Sequence, residues 1–321
     1  MLSAFIRAVL LLSSMLFMVV LWTAGRIPGV DFPLVAFTFL SSAFLVDVMP
    51  LSKRLLWALA MACGASAVQF SFAILHEMPV IQAVVSAVLA YVVFLISPDH
   101  RAGCIVLITG YLTFSAPGGW LQVLNRSAAA GIGVLVIMLV TALGNAGRRG
   151  EVGSAMVYLP YSPYQALIMA AELGLGTLLC RMFQLEQGAW IMLTILFISM
   201  SETPHSPVKR LVFQRILAVP LGIIGGGFLL ESLFRLDYRL FYLVPFIGAV
   251  GFFILYNYGD FFLFSIIFMI SLTVLSDWLA GPYHRFHFWD SFLSRSAATL
   301  LGALLELFMQ ITRQTDRRDK A

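Results

Sequence analysis

The sequence predicts an all-α polytopic membrane protein of about twelve transmembrane helices, arranged as two parallel six-helix repeats. Three observations carry that expectation. Of the 321 residues, 60% are hydrophobic and 11% charged, and mean hydropathy is +0.93. A soluble domain carries about a quarter charged residues, so no aqueous globule could hide this much apolar surface. The apolar residues also fall into runs near the length of about 20 residues that a helix needs to cross the hydrocarbon core. Finally, the chain repeats a phrase: "NRSAAAGIGVLVIMLV" from Asn125 and "SRSAATLLGALLELF" from Ser294.

In chain order the expected spans are 5–24, 32–49, 55–75, 79–96, 102–118 and 121–143, then 164–182, 188–204, 211–231, 240–256, 260–280 and 293–311. The first could pass for a secretory signal, with Arg7 ahead of an apolar core. Its run is long, however, and "LWTAGR" is a poor cleavage site, so it reads as a retained span. The longest polar connection, "GNAGRRGEVGSAMVYLPYSPY", joins the sixth span to the seventh. It divides the chain into a first membrane repeat (1–147), a cytoplasmic linker (148–163), a second membrane repeat (164–312) and a cytoplasmic tail (313–321).

Loop cations set the orientation, because cytoplasmic loops collect Lys and Arg. With both termini inside, Lys53, Arg54, Arg101, Arg148, Arg149, Lys209, Arg210, Arg215 and the tail "RQTDRRDK" face the cytoplasm. The outside receives Arg26, Arg235, Arg239 and Arg285, with Arg181 near that face. The net charge of +4 therefore reports topology rather than a nucleic-acid partner.

The duplication extends beyond the opening phrase. A glycine follows each arginine by seven residues (Gly133 after Arg126, Gly302 after Arg295), and Lys-Arg pairs at Lys53 and Lys209 close equivalent turns. The third helix of each half is expected to become small or broken, at "CGASA" (Cys63–Ala67) and "PLGIIGGG" (Pro220–Gly227). Six spans per half give both halves the same orientation, hence a parallel repeat about an axis along the membrane normal. Such glycines either mark a binding path between halves or let helices pack closely.

Charge inside the membrane is where chemistry is sought, since it is costly there. No GxxxxGK[ST] phosphate loop is present, so a pump of this type would draw on an ion gradient or a partner. The proton-coupling candidates are Glu172, midway along the seventh span, Asp47 and Glu202 near cytoplasmic ends, and Glu306 within the twelfth. Asp47 and Glu202 also read as interfacial partners of the neighbouring basic turns, and Glu172 and Glu306 as structural carboxylates. Arg126 and Arg295 head the last helix of each half. They either snorkel toward the headgroups or form an anion site between the halves, gripping a carboxylate by two hydrogen bonds. Cys63, Cys104 and Cys180 read as small core residues with no metal spacing. His284 and His287 read as part of an interfacial aromatic belt with Tyr283, Phe286, Phe288 and Trp289, and His205 as a turn residue. No metal and no cofactor is expected.

The second half, "GAWIMLTILFISMSETPHSPVKRLVFQRILAVPLGIIGGG" with "FLSRSAATLLGALLELF", resembles the fusaric-acid-resistance (FUSC), aromatic acid exporter-like family of inner-membrane proteins, in a compact form without the cytoplasmic domain. Gln214, Arg215, Gly222 and Gly225–Gly227 match its pattern, over roughly 165–312. In the first half Leu59 stands where Arg215 would align, so the Gln-Arg signature is missing there. The resemblance implies a bacterial inner-membrane exporter of small organic, chiefly aromatic carboxylic, acids. It places Arg215 beside Arg126 and Arg295 as a substrate-binding candidate. It also implies a HlyD-type periplasmic adaptor as partner, and a homo-oligomer is compatible with it. A passive organic-anion channel and an intramembrane transferase are the competing readings; the second would need a His or Asp set and long loops that this chain lacks.

Overall fold

The computed structural model describes most of residues 63–111 and 161–201, all of 208–236, 260–280 and 288–318, and isolated positions within 244–254. The helices are α1 (Pro79–Ile96), α2 (His100–Tyr111), α3 (Pro163–Met182), α4 (Ala189–Ser201), α5 (Val208–Leu236), α6 (Phe261–Ala280) and α7 (Phe288–Arg318). A further helical stretch lies within 63–71, and no strand occurs among the described residues. Four helical segments are long and apolar enough to cross a membrane: Pro79–Ile96, Pro163–Met182, Val208–Leu233 and Phe292–Gln310. The protein is a multi-pass membrane protein on that ground.

Local chemistry sets the helix starts. Pro79 and Pro163 sit at first-turn positions, where a missing N–H costs nothing and φ is preset. Ser162 caps α3 by accepting from the Gln165 amide at 3.2 Å, while Gln165 Oε1 accepts from the Ser162 amide at 3.0 Å. That reciprocal pair satisfies two donors that a helix N-terminus otherwise leaves open. Asp260 caps α6 with a single bond, accepting from Leu263 N at 3.0 Å.

The sequence expects this helix to become small or broken at Pro220–Gly227, and in the structure it is small but unbroken. α5 runs unbroken from Val208 to Leu236 with Pro220 inside it. Proline withholds one backbone hydrogen bond, which membrane helices tolerate. The glycines serve packing: a Cβ on Gly222 would stand 2.3 Å from Met269 Cβ and 2.8 Å from the Ile266 carbonyl oxygen. Gly226 meets Thr273 in the same way, one turn on, so α5 and α6 run parallel with their backbones nearly touching.

Other contacts give the remaining directions. Gly174 faces Ala83 and Ala87, and Arg181 reaches Gln82, so α3 runs antiparallel to α1. Gly176 faces Ile191, Met192 and Ile195, while Tyr161 bonds Ser199 at 2.5 Å, so α3 is antiparallel to α4. Arg295 lies at Trp190 and Gly302 at Ile191 and Thr194, so α7 is parallel to α4.

Helix α4 is the centre of the described bundle. Every residue from Ala189 to Met200 is buried, and α2, α3, α5 and α7 pack around it. An all-round apolar helix can only be stable in such a position. The outer helices instead turn apolar residues outward: Val80, Val84 and Val88 on α1, Phe213, Leu217 and Leu221 on α5. Exposed valine and leucine stripes suit hydrocarbon, not water.

Candidate functional site

Four charged side chains are nearly or fully buried among the described residues: Glu172 on α3, Arg215 on α5, and Arg295 and Glu306 on α7. Their depths follow from their contacts with α4. Arg215 places its Cζ 4.8 Å from the centroid of the Phe197 ring. Glu172 lies one turn before Gly176, which faces Ile191–Ile195, so the antiparallel run brings Glu172 to the level of Ile195–Ser199. Glu306 lies one turn after Gly302, which faces Thr194, so the parallel run brings it near Phe197 and Ile198. A helical turn rises about 5.4 Å, and these three charges share a depth to within about that distance.

Arg215 is the largest fully buried side chain among the described residues. None of Nε, Nη1 and Nη2 has a hydrogen-bond partner among them. Its one described contact of electrostatic value is the Phe197 ring. Phe197 is itself braced edge-on by Phe264 at 5.9 Å and Phe268 at 5.0 Å, which stack on each other at 5.4 Å. A cation–π contact contributes about 2 kcal/mol when desolvated, against a burial cost of several kcal/mol per unpaired ion. The balance is unfavourable without an acceptor for the N–H fork. Two further buried donors lie on α4 and α6. Thr194, one turn before Phe197, and Ser265, beside Phe264, are fully buried, and their hydroxyls lack hydrogen-bond partners among the described residues.

Arg295 is different. It is 3% exposed, so its head is enclosed by neighbouring helices. Nη1 donates to Thr273 Oγ1 at 3.2 Å, and Cζ lies 5.5 Å from the Trp190 ring centroid. Arg295 thereby ties α7 to α6 and α4. Trp190 precedes Phe197 by seven residues, about 10 Å along the axis, so Arg295 and Arg215 stand at different depths. Arg126, Asp47 and Glu202 lie outside the described residues.

One buried polar group was not anticipated by the sequence reading. The Ser86 and Tyr111 hydroxyls share a short hydrogen bond. Thr177 Oγ1 lies 3.1 Å from Ser86 Oγ and donates to the Leu173 carbonyl at 2.8 Å. Near it, Arg181 Nε donates to Gln82 Oε1 at 2.7 Å. These bonds knit α1 and α2 to α3. The available signal was spacing: Gln82 and Ser86 on α1, and Thr177 and Arg181 on α3, are each four apart and share a helix face.

The motifs that carry the likeness to a family all fall on the elements just described. Residues 173–309 match the fusaric acid resistance protein-like family. This fusaric acid resistance protein-like segment contains α4, α5 and α6 whole, with Arg215, Arg295 and Glu306, and begins one residue after Glu172. Phe197, Phe264 and Phe268 lie within it as well. No curated protein and no solved structure matches the chain.

Proposed function

We propose that the protein exports small organic acids, chiefly aromatic carboxylic acids, across the bacterial inner membrane. The observation that carries this reading is the burial of Glu172, Arg215 and Glu306 at one depth around α4. Ionisable side chains inside a membrane bundle are expensive, and they mark substrate and proton pathways. The match of residues 173–309 to a fusaric acid resistance protein-like family supports transport as the class. In this reading Arg215 meets the cargo, and Arg126 and Arg295 flank its outer exit. Glu172 and Glu306 carry protons, while Asp47 and Glu202 serve the cytoplasmic end. A HlyD-type periplasmic adaptor continues the path outward.

The whole chain, in the same reading, is twelve spans in two parallel six-helix repeats with both termini in the cytoplasm. Packing supports the repeat. In the first half a Cβ on Gly64 would meet Val106 at 2.8 Å, and one on Gly110 would meet Val68 at 2.8 Å. The stretch within 63–71 thus runs parallel and close to α2, as α5 runs parallel and close to α6. Third and fifth helices of each half would then share one packing rule.

The test is efflux. Cells producing the protein are loaded with benzoate and a panel of related acids, and release is followed after dilution. Faster release than from cells without the protein supports export. Equal release for every acid in the panel removes the reading. Release that stops at equal concentrations on both sides assigns a passive channel instead.

A further inference from the structure

We infer that Arg181 and Gln82 hold the phosphodiester of a membrane phospholipid in the seam between α1 and α3, at the end of the bundle where α1 begins and α3 ends. The site lies apart from the charges around α4, and it stands whether or not the protein exports acids.

Position comes first. Gln82 is the fourth residue of the apolar segment Pro79–Ile96, and Arg181 is the last but one of the segment Pro163–Met182. The two helices are antiparallel, so both residues stand where a spanning segment reaches the headgroups. Apolar side chains beside them face outward: Ile81 on α1, and Met182 and Phe183 at the end of α3. From there Val80, Val84 and Val88 continue as an exposed stripe along α1. Acyl chains are the natural cover for such a surface.

An arginine at this level ordinarily extends its head into water. Arg181 instead donates from Nε to Gln82 Oε1 at 2.7 Å, and Gln82 is fully buried. That bond turns the guanidinium along α1. It also fixes the amide, because only its oxygen accepts from an N–H. The nitrogen is the end left over, and Gln82 Nε2 has no hydrogen-bond partner among the described residues. The rest of the buried seam is satisfied: the Ser86, Tyr111 and Thr177 hydroxyls bond one another, and Thr177 also reaches the Leu173 carbonyl. A buried amide donor without an acceptor opposes folding, so this one points to a ligand that supplies oxygen.

The ligand's class follows from charge and place. Amide geometry keeps Nε2 within about 5 Å of Arg181 Nε, so one anionic oxygen reaches both the amide and the guanidinium. A second oxygen takes the outer edge of the guanidinium fork. Arg181 carries one charge, and a phosphodiester carries one, with two oxygens outside its ester bonds. Arg181 is partly exposed, so the anion arrives from the membrane surface rather than through the bundle. Lipid headgroups are the phosphodiesters at that depth, and basic pockets between spanning helices are where they bind. A free phosphate dianion would leave one charge unmatched and the valine stripe unused.

The experiment uses the full chain purified in detergent and stripped of lipid, with dioleoylphosphatidylglycerol, dioleoylglycerol and inorganic phosphate as probes. Bound lipid is counted by native mass spectrometry, and the thermal unfolding midpoint is followed in parallel. The phosphatidylglycerol is expected to bind saturably and raise the wild-type midpoint, with dioleoylglycerol and phosphate inactive. Arg181→Met removes the charge and should cost the protein one tightly held lipid, its affinity falling at least tenfold. Gln82→Glu is the sharper variant. Its carboxylate still accepts from Arg181 Nε, so the tie between α1 and α3 survives, but it cancels the cation and removes the amide donor. It should unfold no earlier than lipid-free wild type and lose the same lipid. Wild-type lipid affinity in R181M or in Q82E overturns the site. Dioleoylglycerol matching the phospholipid means that the apolar stripe binds by itself, and overturns the site too. Inorganic phosphate giving equal protection overturns the lipid assignment. Should either variant fail to purify, the other decides alone.

Discussion

The carbonyl oxygen of Ile191 lies 2.6 Å from the point where a Cβ on Gly302 would stand. Backbone is in the way there, not the end of a flexible side chain, so the α4–α7 contact exists only because residue 302 is glycine. Overpacking a close contact costs about 1–3 kcal/mol. Gly302→Ala should lower the unfolding midpoint of the detergent-purified protein by several degrees, and Gly302→Val by more. Leu300→Ala, at an exposed position on the same helix, is the control and should shift it little. A G302A midpoint equal to wild type would show that α4 and α7 are not held at this distance.

Tyr111 and Ser86 make the second test, because their hydroxyls close a short chain that ends on the Leu173 carbonyl. Thr177 Oγ1 donates within reach of both Ser86 Oγ and the Leu173 carbonyl, and Ser86 shares its bond with Tyr111, so the hydroxyls pin α1 and α2 to α3. Interhelical hydrogen bonds in membranes contribute about 0.6 kcal/mol on average and up to about 1.7. Tyr111→Phe and Ser86→Ala should each destabilise by roughly that amount, and the double variant by less than their sum. Strict additivity in a denaturation cycle would mean the two hydroxyls act separately.

How much of this was legible in the sequence depends on what each element had to reveal. Helices α1 and α3 were placed almost to the residue, at 79–96 and 164–182, because apolar length and a first-turn proline mark them. The glycine stretch after Pro220 was not legible as a continuous helix, since the same residues serve a break or a close contact, and only the neighbour α6 decides. Arg215 was singled out through a resemblance, while its partner Phe197 was hidden. One phenylalanine in an all-apolar helix carries no signal until another helix brings a cation to its face. The contacts of Arg295 with Thr273 and Trp190 were hidden in the same way. Such acceptors come from distant parts of the chain and leave no local pattern.

Topology supplies a third expectation. The Lys/Arg asymmetry favours the proposed topology with both termini in the cytoplasm. Reporter fusions at Gly150 and at Ala321 should both read cytoplasmic. A periplasmic reading at either position would reverse the direction assigned to every helix on that side, and with it the direction of the cargo path.

Glu172 gives the last and most direct test of energy coupling. It is fully buried on α3, on the face that Gly176 presses against α4, and so sits where α3 cannot turn it toward lipid without losing that contact. A charge at mid-membrane costs about 2.5–3.5 kcal/mol on insertion scales, so a carboxylate there is kept for work or held by structure. Gln keeps the shape and hydrogen-bonding capacity but cannot release a proton. If Glu172 carries protons, Glu172→Gln should fold and bind benzoate like wild type yet lose export against a gradient, retaining only downhill release. Glu172→Asp, which keeps a carboxylate one carbon shorter, should retain part of the uphill flux. A structural role predicts another pattern: the unfolding midpoint falls, and uphill and downhill transport decline together. Uphill export at the full rate in E172Q protein reconstituted into vesicles would remove Glu172 from the coupling path and leave Glu306, at the same depth on α7, as the carboxylate to examine.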